Sequence, residues 1–158
     1  MRKGEPILVD FGICYHGYQV DQTRMYAIGH MPDEYVRAYE ACKDIHYRVL
    51  DKILTGAKGS DLFAYATQLA DDLGYGKYFL GYDQYKVSFL AHGIGIELAE
   101  LPFIATKQDY RLEEGMTFAL EPKMVFPKKG ACGIENTIVL EQDGYRVLTD
   151  IDEKITIV

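Results

Sequence analysis

Tryptophan is missing from this chain and cysteine is scarce: among 158 residues there is no Trp, and Cys14, Cys42 and Cys132 are the only thiols. Three dispersed cysteines without a CxxC pair exclude a disulfide framework and suit reduced thiols in a cytoplasm. Basic runs are missing too. The longest is Lys128-Lys129, and the formal net charge is −7, so a nucleic-acid-binding face is excluded. No window approaches the roughly 18 consecutive apolar residues of a transmembrane helix, so no membrane partner is expected. The opening MRKGEPILVD reaches an acid before any apolar core develops, which does not read as a signal peptide. Low-complexity segments and short-period repeats are also absent. What remains is 48% hydrophobic and 26% charged, the balance of a soluble globular protein. Residues 1–158 are long enough for one domain with a substantial core.

Hydrophobic periodicity divides the chain into strands and two helices. The stretch from about Ile7 to Ile28 reads as a hairpin. With Tyr15-His16 as a two-residue loop, Asp10 falls opposite Asp21. A helix is expected over about 32–54, with Pro32 in its first turn and a stripe of Tyr35, Tyr39, Cys42, Ile45, Val49 and Ile53. A second helix runs from an N-cap at Ser60 to a stop at Gly74, burying Leu62, Ala66, Leu69 and Leu73. The Tyr- and Gly-rich segment 75–85 reads as a loop. Strands are expected at 87–91, 117–121, 133–140 and 145–148, with Asp143-Gly144 as a turn. Hairpins plus two helices make an α+β domain, helices packed on one face of a mostly antiparallel sheet.

Acids in these strands need an explanation, because β-structure disfavours them and an unpaired buried carboxylate costs several kcal/mol. Asp10 and Asp21 oppose one another in the expected hairpin. Glu121 closes the strand TFALEP on the side of Ala119 and Thr117. Glu135 precedes the apolar run Ile138-Val139-Leu140. His92 ends a strand before Gly93 and Gly95; with no third glycine, a dinucleotide loop is excluded. Each residue alone is commonplace. Together, four carboxylates (−4) are balanced by two divalent cations (+4), and oxygen-rich ligation with one imidazole suits Mn²⁺, Fe²⁺, Co²⁺ or Zn²⁺.

The segments VDFG…GYQVDQTR, AHGIG, the EP of LEEGMTFALEP, and GIENT, in that order, resemble the metal-ligand signatures of the pita-bread metallopeptidases. That family includes Xaa-Pro aminopeptidases, prolidases, methionine aminopeptidases and creatinase. The resemblance covers nearly the whole chain. It implies a pita-bread fold, a curved mostly antiparallel sheet with helices on its outer face. It further implies that Asp10, Asp21, His92, Glu121 and Glu135 hold two metal ions, with Thr23 lining the site. The implied activity is that of a dinuclear metal-dependent hydrolase of the Xaa-Pro aminopeptidase or dipeptidase type. In it a metal-bridged hydroxide attacks a peptide carbonyl, and Glu121 carries the proton to the leaving amine. A cytoplasmic homodimer acting on a peptide or another small molecule is the corresponding expectation.

Two positions depart from the resemblance. Ala99, in ELAELP, stands where such peptidases usually carry a second histidine, and Gly133 stands where Xaa-Pro peptidases tend to have arginine. Alternatives on the same scaffold stay open: a non-peptidase metal-dependent hydrolase or lyase, creatinase-like C–N hydrolysis without metals, or a catalytically inert fragment or binding module. Retention of all five ligand positions favours metal chemistry. The chain enters its first strand after a handful of residues, which reads as the C-terminal portion of a longer, N-terminally truncated catalytic domain.

Overall fold

Ten strands and two α-helices are built from these patterns in the computed structural model, which describes residues 1–158. The opening hairpin is β1 (Pro6–Tyr15) and β2 (Tyr18–Ala27). Its loop is His16-Gly17, one residue later than expected, with φ of 51° and 87°. A two-residue hairpin loop of this kind needs positive φ at both positions, which Gly17 adopts without a Cβ penalty. The pairing therefore shifts: Asp10 lies opposite Thr23, and Asp21 opposite Gly12. A slip of two residues keeps every side chain on its face. Asp10 and Asp21 are thus diagonal neighbours on one face, not a directly opposed pair.

Helix α1 spans Asp33–Leu50, shorter than the expected 32–54, with Pro32 as its N-cap. All six residues of the expected stripe are buried, Ile53 included although it lies beyond the helix. Helix α2 spans Gly59–Asp72. Its N-cap is Lys58, not Ser60; the Ser60 hydroxyl donates instead to Asp109. Leu62, Ala66 and Leu69 are buried, whereas Leu73 is 39% exposed, because the helix has ended before it and its side chain leaves the packed face.

The central sheet has the order β4 (Glu100–Ala105), β3 (Phe89–Gly93), β5 (Thr117–Leu120), β8 (Asn136–Glu141), β9 (Gly144–Val147), antiparallel throughout. β6 (Lys123–Phe126) and β7 (Gly130–Gly133) form a separate hairpin, and β10 (Thr156–Ile157) runs parallel to β2. The strand expected over 133–140 is interrupted: β7 ends at Gly133 and β8 starts at Asn136. Glu135, in the gap, instead bridges to Thr23 of β2, with N–H···O distances of 3.3 and 3.4 Å. This bridge joins the opening hairpin to the central sheet. Strand β4 escaped the sequence pattern because Pro102 interrupts it, which only an edge strand tolerates.

One sheet face is apolar and one carries the chemistry. Phe118 pairs with Ile138, and Ala91 with Leu120, on the face that packs against the stripe of α1 and the apolar side of α2. The alternate residues His92, Ala119 and Thr137 form a row across the opposite face. Gly93, next to His92, serves the packing of β4. A Cβ there would sit 2.4 Å from the Leu101 carbonyl oxygen, so the glycine admits the β4 backbone at that point.

Ile45 is fully buried at the centre of the α1 stripe. Truncation by Ile45→Ala is expected to cost about 2–5 kcal/mol. Urea denaturation should show a lower midpoint with an unchanged m-value.

Candidate metal centre

Three strands and the seam between sheets deliver the polar side chains to one cup. β2 carries Asp21 and Thr23, β3 carries His92, the residue after β5 is Glu121, and Glu135 lies in the gap before β8. Ligand atoms of Asp21, His92 and Glu135 all lie within 4.8 Å of one another, and all three residues are buried. His92 Nε2 stands 3.7 Å from Glu121 Oε1 and 4.0 Å from Glu135 Oε1. Its Nδ1 lies 3.0 Å from the Gly93 carbonyl, a group that only accepts. That contact assigns the proton to Nδ1 and turns the Nε2 lone pair toward the carboxylates, the arrangement that ligates a cation. Asp10, on the exposed outer strand, is not in the tight trio. It borders an adjoining pocket with Thr23, Glu121 and Lys123. Ala99 is exposed on the turn between β3 and β4 and offers no donor.

Hydrogen bonds fix this cup from behind. The Thr23 hydroxyl donates to Glu135 Oε2 at 2.7 Å, leaving Oε1 toward His92. The Thr137 hydroxyl donates to the Asp21 carbonyl at 2.8 Å and accepts from its N–H at 3.0 Å. On the reverse side Arg24 is 2% exposed. Its guanidinium donates to the carbonyls of Thr23, Glu135, Thr149 and Ile151 and to Asn136 Oδ1. Asn136 in turn contacts His46 and donates to Glu153.

Sequence reasoning missed Arg24, Asn136 and Lys123. The signal for the first two is alternation: Thr23 and Glu135 face the cup, so their neighbours face the protein and must find partners there. Lys123 stands two residues after Glu121, and its ammonium ion-pairs with Glu121 Oε2.

Crowding of like charges shows in the protonation equilibria. Burial first, then the Glu121 and Asp21 carboxylates, push Glu135 up to about 8. Burial and then Asp10 raise Asp21. Cations in the cup would oppose both shifts, and the donor set of carboxylate oxygens plus one imidazole fits hard to borderline divalent ions.

Comparison with known proteins places this geometry in a family. The description "Metallopeptidase family M24" matches residues 1–142. The Xaa-Pro dipeptidase of Lactobacillus delbrueckii subsp. lactis is 32% identical over 157 residues, covering 99% of this chain and 41% of the relative. The Xaa-Pro dipeptidase of Pyrococcus furiosus is 28% identical over 155 residues, covering 98% of this chain and 42% of the relative. Among solved structures, the X-Pro aminopeptidase of Thermotoga maritima MSB8 superposes with a TM-score of 0.91 at 31% identity, over 99% of this chain and 43% of that one. A methionine aminopeptidase from Rickettsia prowazekii shares the fold, with a TM-score of 0.77 at 22% identity, over 94% of this chain and 66% of that one.

The fold is that of a pita-bread metallopeptidase. The chain belongs to metallopeptidase family M24, which is metal-dependent. It spans about two fifths of the length of the curated relatives it matches. No helix is long and apolar enough to cross a membrane.

The shifted protonation has a consequence for stability. Glu135 ordinarily titrates at 4.5, so as pH rises from about 4.5 to about 8 the unfolded chain loses this proton before the folded one does. Folding is weakened across that window, by at most about 1.4 kcal/mol per pH unit. His46 acts in the opposite sense below 6.5, because burial pulls it down to about 4 and keeps it neutral when folded. Between pH 6.5 and 8 the Glu135 effect stands apart from it. The metal-free protein should lose Tm on going from pH 6.5 to 8, and Glu135→Gln should flatten that slope in scanning calorimetry.

Proposed function

We propose that residues 1–158 form a single unit, the metal-holding C-terminal portion of a dinuclear M24 hydrolase of the Xaa-Pro aminopeptidase or dipeptidase type. The observation that carries this reading is the convergence of His92 Nε2 with Asp21, Glu121 and Glu135 in one buried cup. Asp10, Asp21, His92, Glu121 and Glu135 would hold two divalent cations, with manganese, cobalt, iron or zinc all compatible with the donors. When bound, the cations supply Lewis-acid polarisation of a carbonyl and of a water.

The chain's own side chains then do the rest. His92, its Nδ1 proton committed to the Gly93 carbonyl, presents Nε2 in one orientation. Thr23 holds one oxygen of Glu135 so that the other faces the cup. Glu121 Oε1, 3.7 Å from His92 Nε2, faces the cup and would carry the proton from the attacking water to the departing amine. The substrate is a small peptide, split before proline, and the setting is a cytoplasmic homodimer.

Ala99 favours a second reading. An exposed alanine offers no hydrogen bond to a developing oxyanion, and loss of one such donor typically costs 10²–10³ in rate, about 3–4 kcal/mol. A metal-dependent hydrolase or lyase acting on something other than a peptide would not need that donor.

Elemental analysis of the purified full chain should find two metal equivalents, reduced by Asp21→Ala. One equivalent or fewer after saturation with Mn²⁺ would overturn the dinuclear reading. Hydrolysis of Xaa-Pro dipeptides with added Mn²⁺ or Co²⁺ should fall about 10²-fold or more in Glu121→Ala. Metal binding without any dipeptide turnover would favour the second reading.

A further inference from the structure

The acidic cup contains a cation of its own. Glu121 directly follows β5 and Lys123 opens β6, two residues on. The Lys123 ammonium ion-pairs with Glu121 Oε2, while the other oxygen, Oε1, faces His92. Both side chains are largely withdrawn from solvent, Lys123 at 29% and Glu121 at 10% exposure. Lys123 also borders Asp10 and Thr23 in the pocket beside the cup.

The β6 chain at Lys123 runs close to its partner across the β6–β7 ladder. Lys123 pairs with Gly133. Gly133 is absent from the residues with positive φ, so backbone conformation does not require a glycine there. A Cβ at that position would lie 2.9 Å from Lys123 Cβ and 3.1 Å from the Pro122 carbonyl oxygen. The glycine therefore admits the close approach of the β6 chain at Pro122 and Lys123.

We propose that Lys123 is the resident counter-ion of the metal-free cup and competes with one of the two divalent ions for Glu121 Oε2. The inference rests on the reading that the cup holds divalent ions. An ammonium on Oε2 neutralises one carboxylate of a crowded set and so stabilises the empty site. The same ammonium repels any ion arriving at Glu121 and denies it the second carboxylate oxygen. The two ions therefore bind unequally, the weaker one being that which shares Glu121.

The test is Mn²⁺ titration calorimetry and thermal denaturation of the full chain, with Lys123→Met, Lys123→Gln and Lys123→Arg. Two neutral variants guard against a folding defect in either one. Wild type should show two unequal sites. In the neutral variants the weaker site should tighten by about tenfold or more as the repulsion is removed. The Tm of the metal-free protein should fall while that of the Mn²⁺-loaded protein changes less, widening the gap between them. Lys123→Arg, which keeps the charge, should retain the wild-type inequality. Mn²⁺ bound by the neutral variants but not at all by wild type would overturn the two unequal sites proposed for wild type. Weaker-site affinity that is unchanged or reduced in folded neutral variants would overturn it and leave the metal reading intact. Failure of every variant and of wild type to bind Mn²⁺ would overturn both.

Discussion

Carboxylates gathered out of water repel one another, and each also pays to leave it. In this protein Asp21, Glu121 and Glu135 meet around one imidazole, with Asp10 at the rim. Much of the remaining architecture can be understood as holding that unfavourable arrangement in place. Thr23 and Thr137 spend their hydroxyls on it, and Arg24 lies buried directly behind it. Apolar packing supplies the stabilisation that the cup itself does not. The opposite sheet face, with Phe118, Leu120 and Ile138, is sealed by the continuous stripe of α1.

Arg24 shows how backbone and site are joined. Among its hydrogen bonds are four to backbone carbonyls, and none of its bonds goes to a carboxylate. Such a guanidinium is a clamp on chain geometry more than a counter-charge. It grips β2, the Glu135 segment and the 149–151 segment at once, so the spacing of Asp21 and Glu135 is set by a residue that touches neither carboxylate. Its neighbour Asn136 extends the grip to His46 on α1 and to Glu153. The neutral state of the buried His46 belongs to this same network.

The order DFG, DQT, HGIG, LEP and IEN placed the candidate residues in the sequence before any coordinates, because acids within apolar strands are costly enough to be conspicuous. The α1 stripe was legible for the same kind of reason, a period that only a helix satisfies. What sequence could not reveal was set by local competition. The hairpin register followed Gly17, whose φ decided the loop, and not the two aspartates. The strand drawn through 133–140 is broken because Glu135 pairs across the seam with Thr23. Leu73 is exposed because the helix stops one residue before it. Lys123 passed unnoticed because a lysine after Glu-Pro looks like surface until its ion pair is seen.

Asp10 and Asp21 ride on the β1–β2 hairpin of a three-stranded sheet whose outer member, β1, has no strand beyond it. At its far end Tyr15 and Tyr18 flank the loop and are 73% and 64% exposed. Ten-residue strands of this kind reach about 33 Å. The hairpin thus ends in an aromatic tip and is tied to the rest of the molecule at Gln19, whose N–H donates to the Gly95 carbonyl, and at the Thr23–Glu135 bridge. Any displacement of the hairpin has to break these ties before it moves Asp21 out of the cup.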